Sequence, residues 1–418
     1  MFNKLKSKLT NYFENNLIEE ENLISKVKLL EKMGNFFQCT GYQQLSKLST
    51  FTHTFHTISH LWYFVVFGRS LALILSDDPL DSLYLGDFFS STSGKNFLHA
   101  NLIVYYLLFF SSRAGVHIQE SGRPQAMFTF YNTIKTEGFT SIRQLLSSAD
   151  YYTWRSHFYL AIQFYLVGIP AVALSLFMLC LVFALENPSL YLSVYHFLWY
   201  FFWLILITAP LCFNVFILFF YYTHTMTLLS YLSLSLAYVN SIGLKLVHVS
   251  ESQNLGDHLR LLRFYLKNQN FLMNLIRFVN SNSEATLWTG YLISCFLADF
   301  SLFLGLFVDS DSKIMSIISF YLACTAFSNL LVLHHAGTEV HNRLMDIRQK
   351  NFSLQARGIK ILPESIALWI NSTQERFQNG EIGITICHIF ATTQTSLLYF
   401  VLENSGILMM FVANFKKS

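Results

Sequence analysis

The residues whose chemistry fits their surroundings least lie near the C-terminus, in the apolar stretch from Glu381 to Asn404. Drawn as a helix, it places Thr392, Ser396, Phe400, Glu403 and Ile407 on one face, at spacings of three to four residues. A face mixing hydroxyls, one aromatic ring and one carboxylate is poorly suited to lipid. A carboxylate towards the end of such a span either reaches for the interface or lines a water-filled path. Two histidine sets also invite a chemical reading. His53, His56 and His60 share a helix face, as zinc ligands do, but no nearby Cys or carboxylate joins them in sequence, so an interfacial helix surface is the expectation and no metal is assigned. His334, His335 and His341 form one histidine box where a multi-histidine oxygenase needs several. Arg69 and Asp299 are isolated charges inside apolar stretches, and each is a conceivable partner for the other.

Catalytic signatures are missing. The chain has no HExxH, GxSxG, P-loop or dinucleotide fingerprint, so no enzyme and no cofactor are expected. The cysteines (39, 180, 212, 295, 324 and 387) are far apart and form no CxxC pair, which argues against a disulfide framework. A net charge of +3 is too small to suggest nucleic acid.

Composition sets the elements that must position these residues. Of 418 residues, 53% are hydrophobic and only 13% charged, against roughly a quarter charged in a soluble domain. So little charge cannot coat that much apolar surface, so a lipid bilayer must cover it. Segments long enough to cross about 30 Å of hydrocarbon recur at 54–76, 96–112, 157–185, 194–222, 286–308, 314–335 and 382–402. Pro170 and Pro210 are expected to kink the third and fourth. Connections 77–95, 186–193 and 309–313 are short and acidic. The other set, 113–156, 245–284 and 336–381, is basic, carrying for example Arg113, Arg123, Arg260, Arg263, Arg343 and Arg348. The two kinds alternate without a break. The positive-inside rule therefore places the charged N-terminal segment and the basic set in the cytoplasm, and the C-terminus outside. That is the inverse of the G-protein-coupled receptor arrangement, and no DRY-like or NPxxY element is present. Lys416, Lys417 and the sequons at Asn351 and Asn371 run against this orientation, the sequons being read as chance.

The expected fold is all-α: a polytopic seven-transmembrane protein with long cytoplasmic helix extensions. Its parts are a cytoplasmic N-terminal segment (1–50), spans one to four (51–222), a cytoplasmic helical extension (223–285), spans five and six (286–335), a second cytoplasmic helical segment (336–381), and the last span with its tail (382–418). Within the extension, Leu259, Leu262, Phe264, Leu266, Phe271, Leu275 and Phe278 mark an amphipathic helix. The apolar tail Ile407–Val412 leaves room for one further crossing.

At the last span the chain resembles the insect gustatory and odorant receptor superfamily, as a divergent gustatory-receptor-like member. The family's signature is Thr-Tyr, five apolar residues, then Gln-Phe. Here Ser396-Leu397, Leu398 to Leu402, and Glu403-Asn404 keep the spacing and the apolar filling, though all four signature letters differ. Glu339 to Arg348 looks like the charged stretch after the sixth span, and Arg376-Phe377 like the lead-in to the last. The resemblance implies a chemosensory subunit of a ligand-gated, non-selective cation channel in the plasma membrane, a homo- or hetero-tetramer whose pore is built from four copies of the last helix. On that mapping Ser396, Phe400 and Glu403 line the pore, with Phe400 as gate and Glu403, in place of the family's neutral Gln, as an acidic ring near the outer mouth. It also implies a small-molecule pocket among spans two to six, for which Tyr195, His196, Trp199, Phe300 and Phe303 are candidates. A secondary transporter, a membrane-embedded enzyme, or a non-conducting scaffold of the same fold are the alternatives.

Overall fold

The computed structural model describes residues 20–36, 50–90, 94–168, parts of 170–185, 191–248, 255–282, 284–308, 313–358, 363–378, 383–386 and 390–415. In chain order the helices are α1 (Glu20–Phe36), α2 (Thr50–Leu75), α3 (Pro79–Tyr84), α4 (Lys95–Glu120), α5 (Ala126–Glu137), α6 (Thr140–Arg143), α7 (Ser148–Gln163), α8 (Val194–His248), α9 (Leu255–Asn282), α10 (Glu284–Phe307), α11 (Lys313–Gly358), α12 (Glu364–Gln378) and α13 (Gln394–Phe415). Thus α2, α4, α7, α8, α10, α11 and α13 carry the seven apolar segments. Much of the third segment, beyond Gly168, lies outside the described residues, as do Glu186, Cys39, Cys180, Cys387, Lys416 and Lys417.

Two helices are far longer than a bilayer requires. The 55 residues of α8 and the 46 of α11 extend about 80 Å and 70 Å at 1.5 Å per residue. Their excess projects from the end of the bundle that carries the basic connections, hereafter the basic end. There α8 contributes Leu232, Leu236 and Val239, α9 contributes Leu262, Leu266 and Leu272, and α11 contributes Val340, Leu344 and Ile347, all buried in one core. Polar side chains cross-link the same layer. The Tyr265 hydroxyl donates to Asn351 Oδ1 at 2.8 Å, Asn240 Nδ2 to Asp346 Oδ2 at 3.1 Å, and Arg376 Nη1 to Asn270 Oδ1 at 2.6 Å. Asn351 is fully buried, which leaves no room for a glycan. The amphipathic stripe expected on α9 is partly reassigned: Leu262 and Leu266 are buried, but Phe264 and Phe271 are exposed. The cause is a helix packed on several neighbours, α8, α5 and α12, which shifts the buried arc towards Tyr265, Leu272 and Met273.

The prolines act differently from one another. Helix α8 runs through Pro210 unbroken, whereas α7 widens into a π-turn at Phe164–Gly168 just before Pro170. A proline lacks its N–H and crowds the carbonyl four residues back, and a wider turn relieves both.

The largest departure from expectation is the last span. Its helix is α13, not 382–402. The preceding residues form a small antiparallel pair, Thr385–Ile386 with Phe390–Ala391. Ile384, Thr385 and Ile386 are β-branched and suit extended backbone. Asn280 on α9 anchors the pair, donating to the Gly383 carbonyl at 3.1 Å and accepting from Thr385 N–H at 3.1 Å. The helix starts where a reciprocal cap becomes possible: Thr393 Oγ1 accepts from Ser396 N–H at 3.0 Å, and Ser396 Oγ from Thr393 N–H at 2.7 Å. The tail Ile407–Val412 belongs to this one helix, which at 22 residues is about 33 Å long. It forms no additional crossing.

Candidate functional site

The shift of the last helix by twelve residues changes what Glu403 is. It lies nine residues after Gln394 and twelve before Phe415, hence near the middle of α13 rather than at an outer mouth. Its side chain is exposed on the chain, as are Tyr399, Gly406 and Met410, which share its face at helical spacing. The adjoining face is closed. Phe400 is 5% exposed, with its ring 4.9 Å from His334 on α11 and 6.0 Å from Tyr291 on α10. Asn404 and Phe411 are buried on the same side. Ser396 is half-buried and committed to the cap described above. Of the three residues expected to line a pore, the structure therefore leaves Glu403 open and turns Phe400 and Ser396 towards their own chain. The reason is register: α13 docks by Phe400, Asn404 and Phe411, and Tyr399 takes the outward place one turn before Glu403.

Beneath Phe400 is a polar pair that sequence reading did not assemble. The Tyr291 hydroxyl and His334 Nε2 are 2.6 Å apart in a buried contact between α10 and α11. Tyr291, Cys295 and Asp299 occupy positions i, i+4 and i+8 on α10. Their spacing is the one available signal, and three dissimilar residue types hide it.

The ligand candidates fall into two separate sets. Tyr195 is exposed and stacks on Trp199 at 6.4 Å. His196 bonds locally to Ser193, and the Trp199 indole donates to the Tyr84 carbonyl. Phe300 and Phe303 are buried instead in a ring cluster with Phe97 of α4 and Phe411 of α13, at 5.7–6.4 Å. The second set holds the last helix against α10 and α4.

Arg69 does not pair with Asp299. It donates from Nε to the Leu85 carbonyl and from Nη2 to the Gly86 carbonyl, each at 2.6 Å, between the rings of Phe88 and Trp203. Arg69 lies in the last two turns of α2, within reach of the 77–95 connection, which accounts for this choice. Gly86 has φ +60, and an added Cβ would strike Trp203 at 2.6 Å, so only glycine fits there. Asp87 in the same connection binds His99 at 2.9 Å and accepts from Phe89 N–H at 2.9 Å. Burial pushes its carboxyl up, but His99, Phe89 and the charge of Arg69 outweigh that and hold it below the usual range.

At the basic end, the fold supplies what the first histidine set lacked in sequence. His117 of α4 stacks on His56 at 4.5 Å and 9°, and His56 Nε2 meets Glu120 at 2.8 Å. Stacked rings present faces, not lone pairs, to one another. Among the described residues no three His, Cys, Asp or Glu side chains are arranged to hold a metal ion.

Apart from the short pair before α13, the described residues form a bundle of apolar helices with long extensions at the basic end, and this fold is shared with a solved insect olfactory receptor. The olfactory receptor OR5 from Machilis hrabei in complex with eugenol superposes with a TM-score of 0.56, covering 92% of this chain and 98% of that one at 12% identity. Another structure of the same receptor gives a TM-score of 0.54 at 13% identity, covering 92% and 96%. No family model and no curated sequence matches the chain.

Proposed function

We propose that the chain is a chemosensory receptor subunit: a multi-pass plasma-membrane protein that assembles as a tetramer into a ligand-gated, non-selective cation channel. The observation that carries this reading is Glu403, an exposed carboxylate midway along an apolar helix of membrane-spanning length. A charge at that depth is costly against lipid, by about 2.5–3.5 kcal/mol on insertion scales, so such groups face water or protein. Four copies of α13 around an axis give it water. The exposed stripe Tyr399, Glu403, Gly406 and Met410 then lines the pathway, with Tyr399 as an aromatic constriction in the role the resemblance gives Phe400. Phe400 instead ties the pore helix to α10 and α11 through Tyr291 and His334, so movement of those helices reaches the pore.

The basic connections support a cytoplasmic N-terminus and basic end, with the C-terminus outside. The similarity to an olfactory receptor in complex with eugenol supports a small organic ligand. The decisive experiment is expression in an otherwise silent cell with current recording, alongside the mass of the purified protein in lipid nanodiscs. Ligand-evoked cation current and a four-subunit mass are expected. A monomeric particle, or electrically silent cells with the protein at the surface, would overturn the reading.

A further inference from the structure

Asp299 is the buried charge for which neither the fold nor the pore has a use. It is 0% exposed on α10, and among the described residues neither carboxylate oxygen has a hydrogen-bond partner. Among the described residues no Lys, Arg or His forms an ion pair with it, and Arg69 is engaged by the 77–95 connection. An unpaired carboxylate inside a membrane bundle costs several kcal/mol unless a positive group or a proton joins it.

The surroundings discriminate between cations. Along the same face of α10, Cys295 and Tyr291 lie one and two turns before Asp299, and Phe303 lies one turn after it. Calcium takes six to eight oxygen ligands, and this stripe offers one carboxylate and one phenol already bonded to His334. An organic ammonium needs less: one carboxylate for its charge and aromatic faces around its stem. On the same face of α10 Phe303 lies one turn from Asp299 and Tyr291 two turns, and Phe97, Phe300 and Phe411 pack with Phe303 into an aromatic cluster.

We propose that Asp299 is the counter-ion for the ammonium group of a small organic amine, held between α10 and its neighbouring helices. This rests on the receptor reading above and narrows its ligand class to primary amines.

The test uses the full chain in lipid nanodiscs and a panel of primary amines of two to ten carbons, 2-phenylethylamine among them, each paired with its alcohol isostere. At least one amine should raise the thermal midpoint by several degrees while its alcohol does not. Asp299→Asn should abolish that shift, and Asp299→Glu should keep part of it. Equal effects of amine and alcohol, an amine shift that survives in Asp299→Asn, or no shift from any amine would each overturn the proposal. So would stability that tracks pH through Asp299 without any amine effect, since a proton alone then neutralises the site. Should Asp299→Asn fail to fold, the amine–alcohol comparison on the unaltered protein decides. Current recordings separate the two readings. An Asp299-dependent amine shift without current keeps the amine site and removes the channel. Current evoked only by neutral compounds keeps the channel and removes the site.

Discussion

Neutralising Glu403 separates a pore from a lipid-facing surface, and the structure fixes which quantity should be read. The residue is about 14 Å along a helix of about 33 Å, so if α13 spans the bilayer as proposed it sits near mid-membrane in either orientation. If four such carboxylates ring an axis, a monovalent cation about 5 Å from each gains about 0.8 kcal/mol per carboxylate at the dielectric of water, roughly 3 kcal/mol in all. A divalent ion gains about twice that before screening by salt. Glu403→Gln keeps size and hydrogen bonding while removing the charge. Its relative calcium permeability, read from reversal potentials under calcium and sodium gradients, should fall at least tenfold, with loss of calcium block. Were the side chain instead turned to lipid, the same substitution would raise the thermal midpoint and leave conductance alone. A conducting Glu403→Gln channel with unchanged calcium permeability and block refutes the reasoning.

The outer connection and the hairpin lead to further expected outcomes. The Asp87 carboxyl is held below its unfolded value, so its contribution to stability is complete above about pH 4, the unfolded carboxylate pKa, and is lost as pH falls through the lower folded pKa. Acid unfolding should therefore lose a component in Asp87→Asn that wild type shows below about pH 4. Arg69→Gln removes two buried charge-assisted bonds to the Leu85 and Gly86 carbonyls and should cost about 3–5 kcal/mol in a thermal or denaturant assay. Reversing charges in an Arg69→Asp/Asp299→Arg double variant should give no rescue, and rescue would show that the two side chains meet. An added Cβ at Gly337 overlaps Thr392, so Gly337→Ala should cost about 1–3 kcal/mol, and Thr392→Ala in the same chain should recover most of it.

How far the letters could be read depends on which force placed each residue. Hydropathy placed five of the seven apolar segments on the helices that carry them, the third lying largely outside the described residues, and the alternation of charge marked the basic end where α8 and α11 exceed a bilayer's thickness. These are averages over about twenty residues and survive local noise. The last span failed because hydropathy cannot tell a β-branched extended pair from the first turns of a helix: residues 382–393 are as apolar as residues 394–415. The cue was the Thr393–Ser396 reciprocal cap, which reads equally well as a run of small polar pore residues. The exposed face of α13 lies one helical step from the face expected in sequence. A periodicity of 3.6 groups Phe400 with Glu403, about 60° apart, and only the docking of Phe400 on Tyr291 and His334 decides which side of that wedge is closed.

The buried polar groups divide along the same line. Arg69, Asp87 and His99 each find a partner among residues close in sequence, because α2, the 77–95 connection and α4 are consecutive and must be joined. Such groups fix how spans one and two meet, and their chemistry is consumed in doing so. Among the described residues Glu403 and Asp299 have no such partner, one exposed at mid-helix and the other buried with neither oxygen hydrogen-bonded. Arg69 inside α2 holds two backbone carbonyls, whereas among the described residues these two carboxylates hold none of the chain's donors. On the proposed reading their partners come from outside the chain: permeating cations and neighbouring copies for Glu403, and an amine for Asp299.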